Sequence, residues 1–159
     1  MSTLIREALA SDIGALIDLS HRTIRATYGG LLGDKAVEAF LSSGAADRYV
    51  TENVGRCSVI VRDGQPVGYA ACRGNLIDLM MIDHDVHRQG FGTDLLRYVE
   101  EQLGQRYAEL SLESFAANEP ANNFYRKHGW VEVSKYLDQD SGANKIVFQK
   151  GTGRTSFCT

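Results

Sequence analysis

The stretch VHRQGFGTDLL, from Val86 to Leu96, carries the main clue to the fold of this chain. Two glycines, Gly90 and Gly92, stand one residue apart before a run whose apolar residues recur at helical spacing. Glycine permits a positive φ and lets a ligand come close to the backbone. The first N–H groups of a helix have no partner inside the helix and attract anions. The stretch therefore favours a loop that holds an anion at the start of a helix.

Four interpretations of this loop compete. A dinucleotide-binding turn requires a third glycine where Leu95 stands. A P-loop requires Gly-Lys followed by Ser or Thr, which the stretch lacks. Two interpretations stay open on these residues alone: a helix start without a ligand, and a pyrophosphate cradle built from the backbone N–H groups of Arg88 to Thr93.

Composition bounds the class of protein. The chain has 159 residues, of which 43% are hydrophobic and 23% charged, and this fits one globular domain. The net charge of -3 argues against nonspecific nucleic-acid binding. Cys57, Cys72 and Cys158 form no CxxC pair, and the four histidines show no metal-ligand spacing with them. No apolar run approaches the roughly 20 residues of a membrane span, and no signal peptide opens the chain. We expect a cytoplasmic protein with no metal, nucleic-acid or membrane partner, and we leave a homodimer open.

The first half of the chain predicts a strand, helices and a hairpin. Thr3 to Ala8 is predicted to be a strand, followed by helices that begin near Ser11, Asp34 and Ala45. The glycine-rich segment 28–33 is predicted to be a loop. Strands at 57–62 and 67–73 are predicted to flank a tight turn at residues 63 and 64, which are Asp and Gly.

The second half predicts the centre of a sheet. Residues 76–82, LIDLMMI, are nearly all apolar and predict a central strand. A helix from Gly90, a strand at 107–113, a helix from Pro120 and strands at 130–137 and 145–149 follow in that order. The pattern predicts an α/β (α+β) fold with a mixed sheet and helices on both faces. We assign residues 1–150 to one domain and predict that 151–159 form a frayed tail.

Two motifs in this order resemble those of the GNAT family, the GCN5-related N-acetyltransferases. The family's acetyl-CoA loop, Arg/Gln-x-x-Gly-x-Gly/Ala, corresponds to residues 87–92, HRQGFG. The family pattern Asn-x-x-Ala-x-x-Phe-Tyr-x-x-x-Gly-aromatic corresponds to residues 118–130. Two positions depart from the family pattern, because His87 stands where Arg or Gln is usual and Arg88 replaces a frequent glycine. The resemblance covers about Thr3 to Lys150.

The resemblance implies both the fold and the activity. The expected fold is a single-domain, GNAT-like mixed and mainly antiparallel sheet with a splay between its two central strands. The expected reaction moves an acetyl group from acetyl-CoA to an amine of a small molecule or peptide by direct attack in a ternary complex, without a metal. The alternative is a noncatalytic acyl-CoA-binding or regulatory module on the same fold. The implied contacts with coenzyme A are at Met81, Ile82, His87, Arg88, Gln89, Gly90, Phe91, Gly92, Thr93, Asn118, Asn122 and Tyr125.

The chemistry also requires groups that move protons. An amine with a pKa of about 10.4 is only about 0.04% neutral at pH 7, so a proton acceptor or a desolvated site is needed. Glu113, at the end of a strand, and Asp78, alone in an apolar run, are the two candidate bases, and a site without a side-chain base stays open. Tyr125 is the candidate general acid for the leaving thiolate, because a phenol is protonated at neutral pH.

The acceptor site is the least determined part of the prediction. The family topology implies that segments 25–34 and 137–143 form its wall, which includes Arg25, Tyr28, Leu31, Asp138 and Asp140. The two aspartates favour a cationic acceptor, whereas Arg22 and Arg25 favour an acceptor that carries a carboxylate. The sequence does not choose between these classes.

Overall fold

The computed structural model describes residues 2–154 of the chain. Within that range the strands are β1 (Thr3–Glu7), β2 (Cys57–Arg62), β3 (Gln65–Arg73), β4 (Leu76–Ile82), β5 (Glu109–Phe115), β6 (Val131–Leu137) and β7 (Asn144–Gly151). The α-helices are α1 (Ile13–Leu32), α2 (Asp34–Ser42), α3 (Ala45–Asn53), α4 (Phe91–Gly104) and α5 (Glu119–Lys127). Short 3-10 helices occupy Ala10–Asp12, Val54–Arg56 and His84–Val86.

The strands form one seven-stranded sheet in the order β1-β2-β3-β4-β5-β7-β6. The pairs β1–β2, β2–β3, β5–β7 and β6–β7 are antiparallel, whereas β4 and β5 are parallel. The parallel ladder contains two residue pairs, Leu76 with Ser111 and Ile77 with Leu112, although each strand has seven residues. The mixed, mainly antiparallel sheet confirms the predicted fold class, and a ladder this short is what the predicted splay requires.

The described residues divide into two compact units. The first comprises residues 2–72 and 79–99, and the second comprises 73–78 and 100–154. In the first unit, helices α1 and α3 pack on β2 and β3 through a buried cluster that includes Leu16, Leu19, Val50, Val59 and Tyr69. The Tyr69 hydroxyl shares a hydrogen bond of 2.6 Å with Ser20 Oγ, and burial raises the pKa of that tyrosine to about 12.

The predicted hairpin is confirmed. Asp63 and Gly64 have φ angles of 49° and 83°, as a two-residue turn with left-handed residues demands.

Two predictions about the first helices are wrong. The segment 28–33 is not a loop, because α1 continues to Leu32 and ends at Gly33, whose φ is +89°. Ile24 and Tyr28 pack against the buried cluster Val37, Leu41 and Ala46. We attribute the longer helix to this burial, which outweighs the cost of about 1 kcal/mol for each glycine inside a helix.

The predicted cap at Ser11 is also replaced. In place of Ser11, the Asp12 carboxylate accepts a hydrogen bond from the Leu9 N–H at 2.7 Å. It also accepts hydrogen bonds from Arg6 Nη1 and Nη2 at 2.8 and 3.0 Å.

The second unit is held by a polar cluster beside its buried apolar residues. Trp130, only 2% exposed, donates its indole Nε1–H to Glu100 Oε2 at 2.9 Å. Lys150 Nζ donates to Glu100 Oε1 at 2.9 Å and to the His128 carbonyl at 2.6 Å. These contacts connect the end of α4 to β7 and to the turn after α5, and so they hold the C-terminal end of α5 in place.

The described residues include only part of the predicted tail and two of the three cysteines. Gly151 belongs to β7, and the Thr152 N–H donates to the Ala108 carbonyl at 2.9 Å. Residues 155–159, including Cys158, lie outside the described part, so fraying of the tail stays a prediction. Neither Cys57 nor Cys72 is part of a disulfide bond. Along residues 2–154, no helix is both long and apolar enough to cross a membrane.

Candidate active site

The glycine loop leads into α4, as predicted, and it follows the 3-10 helix His84–Val86, which was not predicted. Arg88 and Gly90 have φ angles of +65° and +88°, and α4 begins at Phe91. The Asp94 N–H donates to the Gly90 carbonyl at 3.1 Å, an i→i−4 bond at the start of the helix. In any helix the first N–H groups point toward the N-terminus, where they can bind an anion. A Cβ at Gly90 would meet no atom within 4 Å. This backbone, with its open approach, fits the pyrophosphate of coenzyme A.

Arg88 explains one departure from the family motif in physical terms. Its φ of +65° lies in the left-handed region, where a glycine is unstrained and other residues are not. The side chain is exposed. The backbone thus keeps the conformation expected of the usual glycine even with an arginine in place, and contact of the guanidinium with an anion stays a prediction.

His87 shows the other departure. Its Nε2 lies 2.7 Å from the carbonyl oxygen of Ile82, and its ring meets that of His84 edge-on at 5.1 Å. Nε2 therefore carries the proton and donates it to the last residue of β4. The imidazole binds the protein backbone, and this arrangement gives no support to the predicted contact between its side chain and the cofactor.

The loop has a second support, which the sequence analysis missed. Arg62, at the end of β2, donates from Nη1 to Gln89 Oε1 at 3.0 Å. Its guanidinium carbon also lies 5.5 Å from the centroid of the Phe91 ring, a cation–π distance. Phe91 is buried and Gln89 is exposed, so Arg62 connects the core side of the loop to its open side. No local pattern links residues 27 positions apart.

The end of β4 is closely packed against β3. A Cβ at Gly68 would lie 2.5 Å from Ile82 Cδ1 and 2.9 Å from the Met81 carbonyl oxygen, so only glycine fits there. Met81 and Ile82 are half-buried, and only Ile77 of this strand is fully buried. The strand is thus less enclosed than its apolar sequence predicted. The proposed use of the Met81 and Ile82 backbone toward coenzyme A stays a prediction.

Asp78, the carboxylate in the apolar run, is not buried. Its side chain is exposed on β4. Solvation explains how a charge is tolerated in this strand. Nothing in its position distinguishes it as a base.

Glu113 is also exposed, on β5, but it has a specific partner. The Tyr136 hydroxyl on β6 donates a hydrogen bond to Glu113 Oε1. This bond raises the pKa of Tyr136 to about 12, because removal of the phenolic proton would place two negative charges together. Glu113 is therefore an oriented carboxylate.

Helix α5 carries the second motif. Asn118 is its N-cap, since Oδ1 accepts the Ala121 N–H at 3.4 Å. Tyr125, two turns later, is half-buried, and its ring lies 6.3 Å from Trp130 and 5.9 Å from Phe148. These aromatic neighbours fix the direction of the phenol, as a positioned proton donor requires.

Asn122, which the resemblance implied as a contact for coenzyme A, is buried. Its side chain is 1% exposed, and Nδ2 donates to the carbonyls of Phe115 and Ala116 at 3.2 and 3.1 Å. The residue attaches α5 to the end of β5. An amide buried in this way is poorly placed to bind a phosphate, and its helical face could not be read from one sequence.

The predicted acceptor-site residues on α1 differ in their exposure and in the contacts that their side chains already make. Arg25 makes a two-point ion pair with Glu38, from Nε at 2.8 Å and Nη2 at 3.1 Å. Tyr28 is half-buried against α2 and α3, while Leu31 is exposed. Arg22, the other cation considered for a carboxylate acceptor, is paired with Asp83 at 2.6 Å. Both guanidiniums thus already neutralise carboxylates of this chain.

The two aspartates of the β6–β7 loop have separate roles. Asp138 accepts Ser141 Oγ at 2.6 Å and lies 3.9 Å from Lys145 Nζ. The bond from Ser141, with the nearby ammonium, holds the pKa of Asp138 below its ordinary value. Asp140 is exposed. Asp138 therefore shapes the turn, and Asp140 presents its charge to solvent.

The predicted site residues fall into two groups. The first unit contains the coenzyme A loop, the end of β4 and the α1 residues. The second unit contains Asp78, Glu113, the α5 residues and the two aspartates. Among residues 2–154, no group of three or more His, Cys, Asp or Glu residues is arranged to hold a metal ion.

Comparisons with known proteins agree with this geometry. A family model described as the acetyltransferase (GNAT) domain matches residues 53–132, half of the chain. The chain is 29% identical over 135 residues to the peptidyl-lysine N-acetyltransferase YiaC of Escherichia coli (strain K12), a match that covers 80% of this chain and 82% of that protein.

Two solved structures show the same fold. The PaiA N-acetyltransferase of Thermoplasma acidophilum, crystallised with coenzyme A, has a TM-score of 0.79 at 18% identity and covers 95% of this chain and 99% of that one. The ribosomal-protein-S18-alanine N-acetyltransferase of Escherichia coli has a TM-score of 0.68 at 19% identity, with 99% of each chain covered.

The chain belongs to the GNAT acetyltransferase family. It is an N-acetyltransferase whose co-substrate is acetyl-CoA and whose acceptor is an amine. The class of enzyme predicted from the two motifs is thereby confirmed. The individual site residues stay predictions.

Proposed function

We propose that this enzyme acetylates the ε-amine of a lysine side chain in a peptide or protein. The observation that carries the proposal is the match to YiaC, a peptidyl-lysine N-acetyltransferase, over four-fifths of both chains. Lysine is cationic at pH 7, so exposed carboxylates along its path attract it before reaction.

The charges in the described residues favour a cationic acceptor. Asp140 and Glu113 are exposed, and within residues 2–154 neither of them forms an ion pair. Arg22 and Arg25, the cations that would bind an acceptor carboxylate, are already paired with Asp83 and Glu38. An amino acid held through its carboxylate would have to compete with these ion pairs. We therefore favour a lysine side chain over a free amino acid.

Each group of predicted residues has a proposed role. The N–H groups at the start of α4 hold the pyrophosphate of coenzyme A, which supplies the acetyl group as a thioester. Backbone N–H groups at Met81 and Ile82 stabilise the negative charge that develops on the acetyl oxygen. Tyr125 Oη holds the proton that the departing sulfur requires, and Glu113 accepts a proton from the amine through water.

Three further statements belong to the same proposal. We assign residues 1–150 to one N-acetyltransferase domain. We place the protein in the cytoplasm, a reducing compartment that agrees with Cys57 and Cys72 not being disulfide-bonded. Burial raises the pKa of Cys57 to about 11, which keeps this thiol unreactive. A homodimer stays a prediction.

An acceptor panel tests the proposal. Release of the coenzyme A thiol is measured with an N-terminally blocked lysine peptide, with its Nε-acetyl-lysine counterpart, with a peptide whose only amine is N-terminal, and with free lysine. We expect the highest kcat/KM for the blocked lysine peptide and no release with its acetylated counterpart. Equal or faster turnover of the N-terminal amine or of free lysine would reject a peptidyl-lysine acceptor.

Asp140 provides a sharper test of the charge argument. Asp140→Asn is expected to raise the KM for the lysine peptide at low salt, with kcat unchanged, and the difference should vanish at high salt. Asp18→Asn removes an exposed carboxylate from α1 and is the matched control, for which no change is expected. An unchanged KM in Asp140→Asn at low salt would show that the loop does not attract the acceptor.

A further inference from the structure

A partly buried ion pair lies at the end of β4. Arg22, on α1, places Nη2 2.6 Å from Asp83 Oδ2, and Asp83 follows the last residue of the strand. The aspartate is 7% exposed, whereas the arginine is about half exposed. Asp85 Oδ2 lies farther from the guanidinium, 3.9 Å from Nε. The pair thus joins α1 to the chain at the exit of β4.

Asp83 makes two further contacts that fix this exit. Its Oδ1 accepts the Asp85 N–H at 3.2 Å, which caps the 3-10 helix, and its own N–H donates to the Val67 carbonyl of β3 at 2.8 Å. Beside it, the His84 N–H donates to Thr23 Oγ1 of α1 at 3.2 Å. One carboxylate therefore connects α1 and the start of the glycine loop, while its backbone pairs with β3.

The segment held in this way joins the two parts of the proposed coenzyme A site in the first unit. Ile82 immediately precedes Asp83, and its carbonyl receives the His87 Nε2–H at the other end of the 3-10 helix. A shift of Asp83 would therefore move both the backbone of Met81 and Ile82 and the loop that begins at His87. A displacement of about 1 Å at such a site is enough to cost catalysis.

The charge on Asp83 makes this contact sensitive to its partner. Burial by itself would raise the pKa of Asp83, but the hydrogen bonds from Arg22 and from the Asp85 N–H outweigh it and lower the pKa below its ordinary value. The carboxylate is therefore ionised at neutral pH. Without Arg22 it would stay buried with only a backbone donor, an arrangement that drives local rearrangement.

We propose that Arg22 is a positioning residue for acetyl transfer, because through the Asp83 carboxylate it fixes both the end of β4 and the start of the coenzyme A loop. The inference rests on the proposed function of that strand end and loop. It also gives Arg22 a different role from the binding of an acceptor carboxylate, which the sequence had left open.

The test compares two arginine-to-glutamine variants. Arg6 is the matched control, since it donates to Asp12 at 2.8 and 3.0 Å, and Asp12 is 6% exposed and also accepts a backbone N–H. Both variants should lower the melting temperature to a similar degree. Only Arg22→Gln is expected to weaken coenzyme A binding in calorimetry, by about tenfold, the size of one charged hydrogen bond. It should also raise the KM for acetyl-CoA while the KM for the acceptor is unchanged.

A double-variant cycle identifies the route of the effect. Since Arg22 acts through Asp83, the double variant that combines Arg22→Gln and Asp83→Asn should bind coenzyme A no more weakly than the single variant with the lower affinity. Arg22→Lys keeps one charged donor and should recover part of the affinity, and it replaces Arg22→Gln if that protein does not fold. Wild-type affinity in Arg22→Gln, an equal loss in Arg6→Gln, or additive losses in the double variant would each overturn the proposal.

Failure of the proposed acceptor would look different. In that case the wild-type protein would not acetylate the lysine peptide, yet coenzyme A binding would still fall in Arg22→Gln and not in Arg6→Gln.

Discussion

Replacement of Gly90 by alanine separates backbone strain from ligand binding at the glycine loop. Gly90 has a φ of +88°, and a Cβ built there would meet no atom within 4 Å. The protein has room for the methyl group, so the cost of Gly90→Ala to folding is the left-handed backbone alone, about 1–2 kcal/mol. For a chain of this size that corresponds to a fall in melting temperature of roughly 2–8 °C.

Gly64 provides a control with nearly the same backbone. Its φ is +83°, a Cβ there also meets nothing within 4 Å, and it lies in the β2–β3 turn. Gly64→Ala should therefore lower the melting temperature by a similar amount. If the N–H groups beside Gly90 cradle a pyrophosphate, only Gly90→Ala adds a methyl group at the ligand, and coenzyme A affinity should fall at least about tenfold.

Thermal unfolding followed by circular dichroism and titration calorimetry with coenzyme A measure the two effects separately. Both variants are expected to unfold cooperatively below the wild-type temperature, and only Gly90→Ala should lose affinity. Wild-type affinity in a folded Gly90→Ala protein would refute the cradle. An equal loss in Gly64→Ala would show that the effect comes from general destabilisation.

Two further predictions concern stability. Asn122→Leu keeps the approximate volume but leaves the Phe115 and Ala116 carbonyls without their amide donor. The free energy of unfolding, measured by urea denaturation, should therefore fall by about 2–4 kcal/mol. A loss under about 1 kcal/mol would contradict the role of this amide in attaching α5. The hydrogen bond from Arg6 holds the pKa of Asp12 below its ordinary value, so the unfolded state binds the proton more readily than the folded state. The stability that this pair contributes is therefore present above about pH 4 and is lost as the pH falls through the pKa of Asp12 in the folded state. The stability difference between wild type and Arg6→Gln should therefore shrink on acidification below about pH 4, and a constant difference down to pH 2 would show that the pair contributes no ionic stabilisation.

Local chemistry made part of the structure predictable. The Asp63-Gly64 turn and the apolar run of β4 set their own boundaries, because turn geometry and burial act over a few residues. The left-handed conformation at Gly90 likewise follows from a glycine placed before a helix. The long α1 could not be predicted in this way, since it depends on packing of Tyr28 against residues that come later in the chain.

Several features of the candidate site could be identified only from the three-dimensional structure. Arg22 and Asp83 are 61 residues apart, and no sequence periodicity pairs them. The burial of Asn122 could not be predicted, because one sequence does not show which side of a short polar helix faces the core. Conversely, Tyr125 was identified from the motif around it, and the structure adds the aromatic neighbours that orient its ring.

The measurement that tests the account most directly is the single-turnover rate of acetyl transfer to a lysine peptide in Tyr125→Phe. This change keeps the ring beside Trp130 and Phe148 and removes the hydroxyl group that carries the proton for the departing sulfur. Tyr107→Phe removes a phenolic hydroxyl elsewhere in the same unit and is the control. The account predicts a rate about 100-fold below wild type in Tyr125→Phe, unchanged coenzyme A affinity, and a wild-type rate in Tyr107→Phe. A rate within twofold of wild type in Tyr125→Phe would contradict the assignment of Tyr125 as the general acid.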